Sequence, residues 1–340
     1  MRNSFNTAGF SEVVHEIRND PAEAAFRYSA EAQSSPYRGL SAKIGPALFG
    51  TVKSARRFSV ELRDVSDAPG AEGPLPMHLA LTGVASCALT TLVGGGSAQS
   101  VVFESADMDI AWDGGAVTSR IDVGGVPDDE TVAELVGQVE QFSPNYTTLT
   151  RPVPVALRYG PDAAPAHTAT TEGAPATGRP AACRVRWISG TQLASVPLDQ
   201  EPGDQAPGDQ EPGGELRVDA PKQLTGVDWG PNPQEYLLMG LAADVASHLG
   251  RIARELTGRA VTWRVTVRGT EDVGGLLQAD PSAVVQLQDM ECAVSDAAGL
   301  SGAELEKAAA AAWAASEVRY LIEAAPAVRL ASHRVESCPA

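Results

Sequence analysis

The chain is poor in the residues that most often announce a chemistry. Of 340 residues only four are cysteine: Cys87, Cys183, Cys292 and Cys338. No two are close enough for a CxxC, and no HExxH is present, so the common zinc spacings are excluded. A disulfide framework is excluded too, because such scaffolds are short and dense in cysteine. There is no P-loop, no GxGxxG after a strand and no GxSxG. Nucleotide-driven chemistry and the serine-hydrolase elbow therefore have no carrier. No uninterrupted apolar run approaches about 18 residues, so no bilayer span is predicted. The opening segment has no apolar stretch of signal-peptide type, and a cytoplasmic protein is expected. Basic residues are also scarce, 26 against 43 acids, for a net charge of −17 and an isoelectric point near 4.7. Such a chain repels polyphosphate and anionic lipid, so neither nucleic acid nor a membrane is an expected partner.

What is present is enough for two ordinary domains, with 43% apolar residues, 33 Gly and 24 Pro. Residues 160–181 are rich in Ala, Thr, Pro and Gly without periodicity and read as a linker. Residues 199–213 repeat DQEPG, DQAPG, DQEPG. With acid, Pro and Gly but no apolar anchor, they read as a mobile insertion over 199–214. Apolar segments flank it, ACRVRWISG before and ELRVDA after, which predicts a hairpin with an overgrown loop.

The chain also repeats itself. GPLPMHLALTGVASCALTTL at 73–92 and GPNPQEYLLMGLAADVASHL at 230–249 both open G-P-x-P and run into an Ala/Leu-rich helical pattern. Fourteen residues separate Gly73 from Cys87, and fourteen separate Gly230 from Asp244. Each copy continues with two alternating strand patterns, a second helix (129–142 and 301–322) and a last strand (152–158 and 327–335). Proline suits a first helical turn, where its missing N–H has no partner anyway. The stretches 79–93 and 236–245 are almost free of charge, as buried helices are. Two such helices, one per copy, are best buried against each other. The triple glycine 94–96 ends the first helix as a flexible stop.

The G-x-N-P-x-E-x-L-L start kept in GPNPQEYLLMGL, with VASCALTTL placing Cys87 midway along the first apolar helix, resembles the OsmC/Ohr family of thiol peroxidases. The lead-in HEIRNDPAEAAFRYSAEA is similar to that of some OsmC-like proteins. The resemblance implies an α+β fold of two tandem OsmC-like units, 1–160 with an N-terminal helix and 182–340, joined by a linker at 161–181. Each unit is an antiparallel sheet with a long buried central helix. The two form an intramolecular pseudo-dimer that replaces the family's usual homodimer. The resemblance also implies a peroxidatic cysteine at Cys87, an activating Arg from an early strand, a Glu at the helix start and a resolving cysteine on the later helix. No metal or other cofactor belongs to that chemistry. At the resolving positions this chain has Ser143 and, near 316, Ser316; at the second peroxidatic position it has Asp244.

Six residues are candidates for the site. Cys87 is either a thiolate nucleophile, which needs a nearby cation or helix terminus, or a small apolar core residue. Arg57, or its neighbour Arg56, supplies the cation or is a solvated strand-end charge. Glu235 either orients substrate with that Arg or simply favours a helix N-terminus. His78, its match in the first copy, lies nine residues before Cys87 and so points away from it on one helix, leaving contact only across the copies. Asp244 and His248 share a helix face. They form either a second polar site, as an acid–base pair or as two ligands of a divalent metal (too few for a site by themselves), or a hydrogen-bonded pair filling a degenerate site, in which case the Asp takes His248 or Arg251 as partner. Cys183, Cys292 and Cys338 read as structural. Three functions follow: single-cysteine reduction of a hydroperoxide or related electrophile, with an external thiol as reductant; a repurposed enzyme acting on a small apolar metabolite through Cys87 or Asp244 and His248; or a non-catalytic scaffold.

Overall fold

A computed structural model describes residues 3–67, 72–159, 179–198, 214–295 and 300–336. Most of the expected linker, the acidic repeat and Cys338 lie outside the described residues. The elements in the first half are α1 (Thr7–Asn19), β1 (Ala25–Ser35), β2 (Gly39–Ile44), β3 (Ala47–Phe49), β4 (Val52–Ser54), β5 (Ser59–Leu62), α2 (Pro76–Ala98), β6 (Ser105–Trp112), β7 (Ala116–Gly124), α3 (Asp129–Phe142), α4 (Pro144–Thr150) and β8 (Val155–Tyr159). The second half holds β9 (Ala181–Ser189), β10 (Gln192–Leu198), β11 (Leu216–Val218), α5 (Pro233–Thr257), β12 (Trp263–Asp272), α6 (Val273–Leu276), β13 (Gln288–Ser295), α7 (Gly302–Ala315), α8 (Glu317–Glu323) and β14 (Ala327–Val335).

The fold is mixed α+β, with two sheets. One has eight strands, ordered β4-β3-β1-β12-β13-β8, with β2 and β5 continuing from β1; the other has six, ordered β11-β10-β9-β6-β7-β14. Each sheet takes strands from both halves. In the first, β1 pairs antiparallel with β12 and β13 pairs parallel with β8. In the second, β9 pairs antiparallel with β6 and β7 pairs parallel with β14. The same plan thus recurs with the halves exchanged.

Between the sheets lie α2 and α5, packed on each other. Helix α2 rests on β9 and β6, and α5 rests on β1 and β12. Two glycines set the crossing. A Cβ on Gly83 would stand 2.6 Å from Pro233 O, and one on Gly240 would stand 2.8 Å from Ala80 N. Each occupies the eighth position of its helix, so the contact is reciprocal.

Several expectations are corrected. Helix α2 runs through Gly94–Gly96 to Ala98. The glycines do not stop it; side chains on Gly95 and Gly96 would collide with Gln138 and with the Phe103 ring. Helix α2 is also long and apolar enough to cross a membrane by composition, but 83% of its apolar window is buried inside the protein. The helix expected over 301–322 breaks at Ser316, whose backbone is extended; its hydroxyl caps Arg319 N of α8. The segment ACRVRWISG does not pair across the acidic insertion: β9 turns tightly into β10, and β10 is the strand that pairs with β11. Ala181 opens β9, so the linker reaches no further than 180.

Candidate functional site

The site grows from the first turn of α5. Asn232 caps the helix, accepting from Glu235 N at 2.8 Å, and Glu235 Oε2 accepts from Asn232 N at 2.9 Å. This reciprocal cap, with Pro233 at the first position, fixes the Glu235 carboxyl in the core at 0% exposure. Its other oxygen accepts from Arg56 Nη2 at 2.5 Å. Arg56 comes from the segment between β4 and β5, lies over the Phe49 ring and has Nη1 3.6 Å from Asp228. Arg57, the neighbour expected to supply the cation, is exposed; adjacent residues of an extended segment face opposite ways. Burial pushes the Glu235 carboxyl up to about 7 against the pull of Arg56.

Cys87 lies midway along α2 and is 3% exposed. Its sulfur accepts from Asn145 N at 3.5 Å and has Gln234 Nε2 at 4.0 Å. Asn145 Nδ2 meanwhile donates to Gly83 O and Pro233 O, tying α4 to both central helices. Burial pushes the Cys87 thiol up to about 12, while the Ser143 hydroxyl and the Asn145 amide pull it down. At neutral pH Cys87 is therefore a thiol. The core also holds a buried pair that the sequence pattern did not single out. Tyr28 of β1 donates to Glu271 Oε2 of β12 at 2.6 Å, and both are buried. The Tyr28 phenol is raised by burial, then by Glu271, Glu235 and Cys87. Glu271 is raised to about 7 by burial despite the phenol's hydrogen bond. A signal was present: Trp263, Val265, Val267, Gly269 and Glu271 share one strand phase, so an acid continues an inward row.

Asp244 lies at the position of α5 matching Cys87. Its Oδ2 accepts from Ser316 Oγ at 2.7 Å and Val318 N at 3.1 Å; Oδ1 is 3.6 Å from His248 Nε2. Spacing along the helix points to His248 and Arg251 as nearest partners, but the main ones come from the α7–α8 break. Arg251 pairs instead with Glu255. The two settings correspond: Ser143 and Asn145 N face Cys87 as Ser316 and Val318 N face Asp244. Near Asp244, Glu317 is raised to about 7 by burial and by Asp244, and accepts from Trp112 Nε1. His78 takes the helix-start role in α2, its Nδ1 accepting from Leu75 N. The structure thus gathers Cys87, Glu235 and Arg56 in one cluster and Asp244 and His248 in another. Cys183 and Cys292 are buried in sheet packing.

Among the described residues no group of three His, Cys, Asp or Glu could hold a metal ion. A surface cleft of about 950 Å³ is walled by Phe58, Arg217, Trp229 and Tyr236 among others, but not by Cys87 or Asp244. No protein-family model matches the chain, and no curated protein matches it.

Proposed function

We propose that the chain is a divergent tandem protein of OsmC/Ohr type that reduces a hydroperoxide or related electrophile through the single thiol of Cys87. One observation carries the chemistry. Beside Cys87, the buried Oδ1 of Asn145, whose backbone N–H donates to the sulfur, has no hydrogen-bond partner among the described residues. Buried polar atoms are almost always bonded, so an orphan beside the sulfur fits a site made for a polar guest. Both oxygens of Asp244, by contrast, face partners.

Duplication is supported by the matched G-P-x-P helices, the exchanged strand plan and the matched settings of Cys87 and Asp244. The two copies would then form a pseudo-dimer whose working site draws Cys87, Arg56 and Tyr28 from one copy and Glu235 and Glu271 from the other. In the reaction the sulfur attacks the outer peroxide oxygen. The S–O bond forms, the O–O bond breaks, and the alcohol leaves as Cys87 becomes a sulfenic acid. Serines stand where a resolving cysteine would be, so two equivalents of external thiol return Cys87 to the thiol, giving disulfide and water.

Intact mass after treatment with cumene hydroperoxide, with a dione that traps sulfenic acid, tests this reading. A single adduct on Cys87, absent in Cys87→Ser, is the expected result; an unmodified Cys87 overturns it. One observation favours a second reading. Two buried carboxyls, Glu235 and Glu271, titrate near neutrality, as acid–base work on a small metabolite requires. An unmodified Cys87 together with saturable binding of a small apolar molecule would select it.

A further inference from the structure

Asn145, in the first turn of α4, has its N–H groups placed and its side-chain oxygen left over. The backbone N–H donates to Cys87 Sγ at 3.5 Å. Nδ2 donates to Gly83 O of α2 at 2.8 Å and to Pro233 O of α5 at 2.9 Å. Oδ1 is buried and has no hydrogen-bond partner among the described residues. Turning the amide over would set Oδ1 against two carbonyl oxygens, so the open atom is the acceptor. An unmet acceptor calls for a donor, and a guest without an O–H or N–H supplies none. Four bonds join N and Oδ1 of one asparagine, so the two are no more than about 5 Å apart. A single oxygen of a guest can therefore lie against both Oδ1 and the sulfur. Gln234 Nε2, 4.0 Å from the sulfur on the α5 side, is itself a donor and cannot take the acceptor's place.

Resting on the reductase reading above, we infer that Asn145 holds the substrate: its Oδ1 accepts the O–H of a hydroperoxide while its N–H steadies the sulfur that attacks. The substrate class narrows to peroxides with a free O–H, and dialkyl peroxides are excluded. The step balances with no proton passing to Asn145. The outer oxygen keeps its hydrogen as the S–O bond forms and becomes the sulfenic hydroxyl. The O–O bond breaks, and the thiol proton passes to the departing alkoxide to give the alcohol. The same amide pins α4 to both central helices, so guest and nucleophile are oriented from one fixed point. The other copy lacks the device. Val318 N stands at the matching place beside Asp244, and a valine side chain offers no acceptor.

Calorimetric titration reads the contact apart from the reaction. Cumyl alcohol offers an O–H but cannot oxidise a thiol; its methyl ether offers no O–H. The unaltered protein is expected to bind the alcohol about 10-fold more tightly or better, the usual effect of leaving a buried acceptor unmet by the ether. In Asn145→Ala that preference disappears; in Asn145→Asp, which keeps an acceptor oxygen, it stays. Oxidation of Cys87 by cumene hydroperoxide slows by about 10-fold or more in Asn145→Ala, while its alkylation by iodoacetamide does not, whereas a merely structural loss would change both alike. Equal affinities in the unaltered protein, no binding of the alcohol, or a preference that survives Asn145→Ala overturns the inference. Should Asn145→Ala fail to fold, equal affinities in the unaltered protein still do so. The two readings fail separately. An alcohol preference that needs Asn145, with no oxidation of Cys87, sinks the reductase and leaves the contact; oxidation of Cys87 without that preference sinks the contact and leaves the reductase.

Discussion

Glu235 has lost its water and is held by one cation and one backbone amide. Removing the cation should be costly, because the buried Glu235 carboxyl loses its charge partner and a hydrogen bond. Arg56→Met is expected to lose about 3–5 kcal/mol of stability in urea denaturation, whereas Arg57→Met, at an exposed position, should change stability by less than about 0.5 kcal/mol. The pH dependence has a definite sign. Glu235 and Glu271 titrate near 7 in the folded chain against 4.5 ordinarily. Between those values the folded state holds more protons than the unfolded one, so stability falls as pH rises through that window. Denaturation midpoints measured across it should decline, and Glu271→Gln should flatten part of the decline. At this scale the sequence was half legible. Cys87, Glu235 and Asp244 stand out because the G-P-x-P repeat gives them matching positions. Tyr28 and Glu271 do not, because a strand pattern says which face a residue takes but not which strand of the other half lies beside it.

The central helices meet where two glycines let backbones touch. Gly→Ala in a helix ordinarily gains about 1 kcal/mol, but at Gly83 the new methyl would strike Pro233 O and Leu237 N, which are backbone atoms. Overpacking of this kind costs roughly 1–3 kcal/mol, so Gly83→Ala and Gly240→Ala should both lower the thermal midpoint. A methyl on Gly137 of α3 would meet nothing within 4 Å, and Gly137→Ala should raise that midpoint. The helices themselves were readable from apolar runs and caps: α3 falls at 129–142 as expected. The break at Ser316 was not, because Ala-rich sequence favours continuing the helix. What breaks it is tertiary: Ser316 Oγ and Val318 N both turn to the buried Asp244 carboxylate.

Over the whole molecule, neither half can complete a sheet. Without the second half, β1 and β8 lose β12 and β13 between them; without the first, β9 and β14 lose β6 and β7. Residues 1–159 or 179–340 expressed alone should therefore lack cooperative unfolding by circular dichroism, and the two co-expressed should restore it as a one-to-one complex. Two independently folded halves would contradict this. The sequence by itself determined the repeated order of elements, the two apolar helices and the pairing of one thiol with one acid at equivalent positions, because local periodicity, caps and spacing are written along the chain. Only the tertiary structure decided that the halves exchange strands, that Arg56 rather than Arg57 turns inward, and that Tyr28 pairs with Glu271. Those contacts bring together residues up to 243 positions apart, and no local pattern encodes which distant strand or helix a side chain will face.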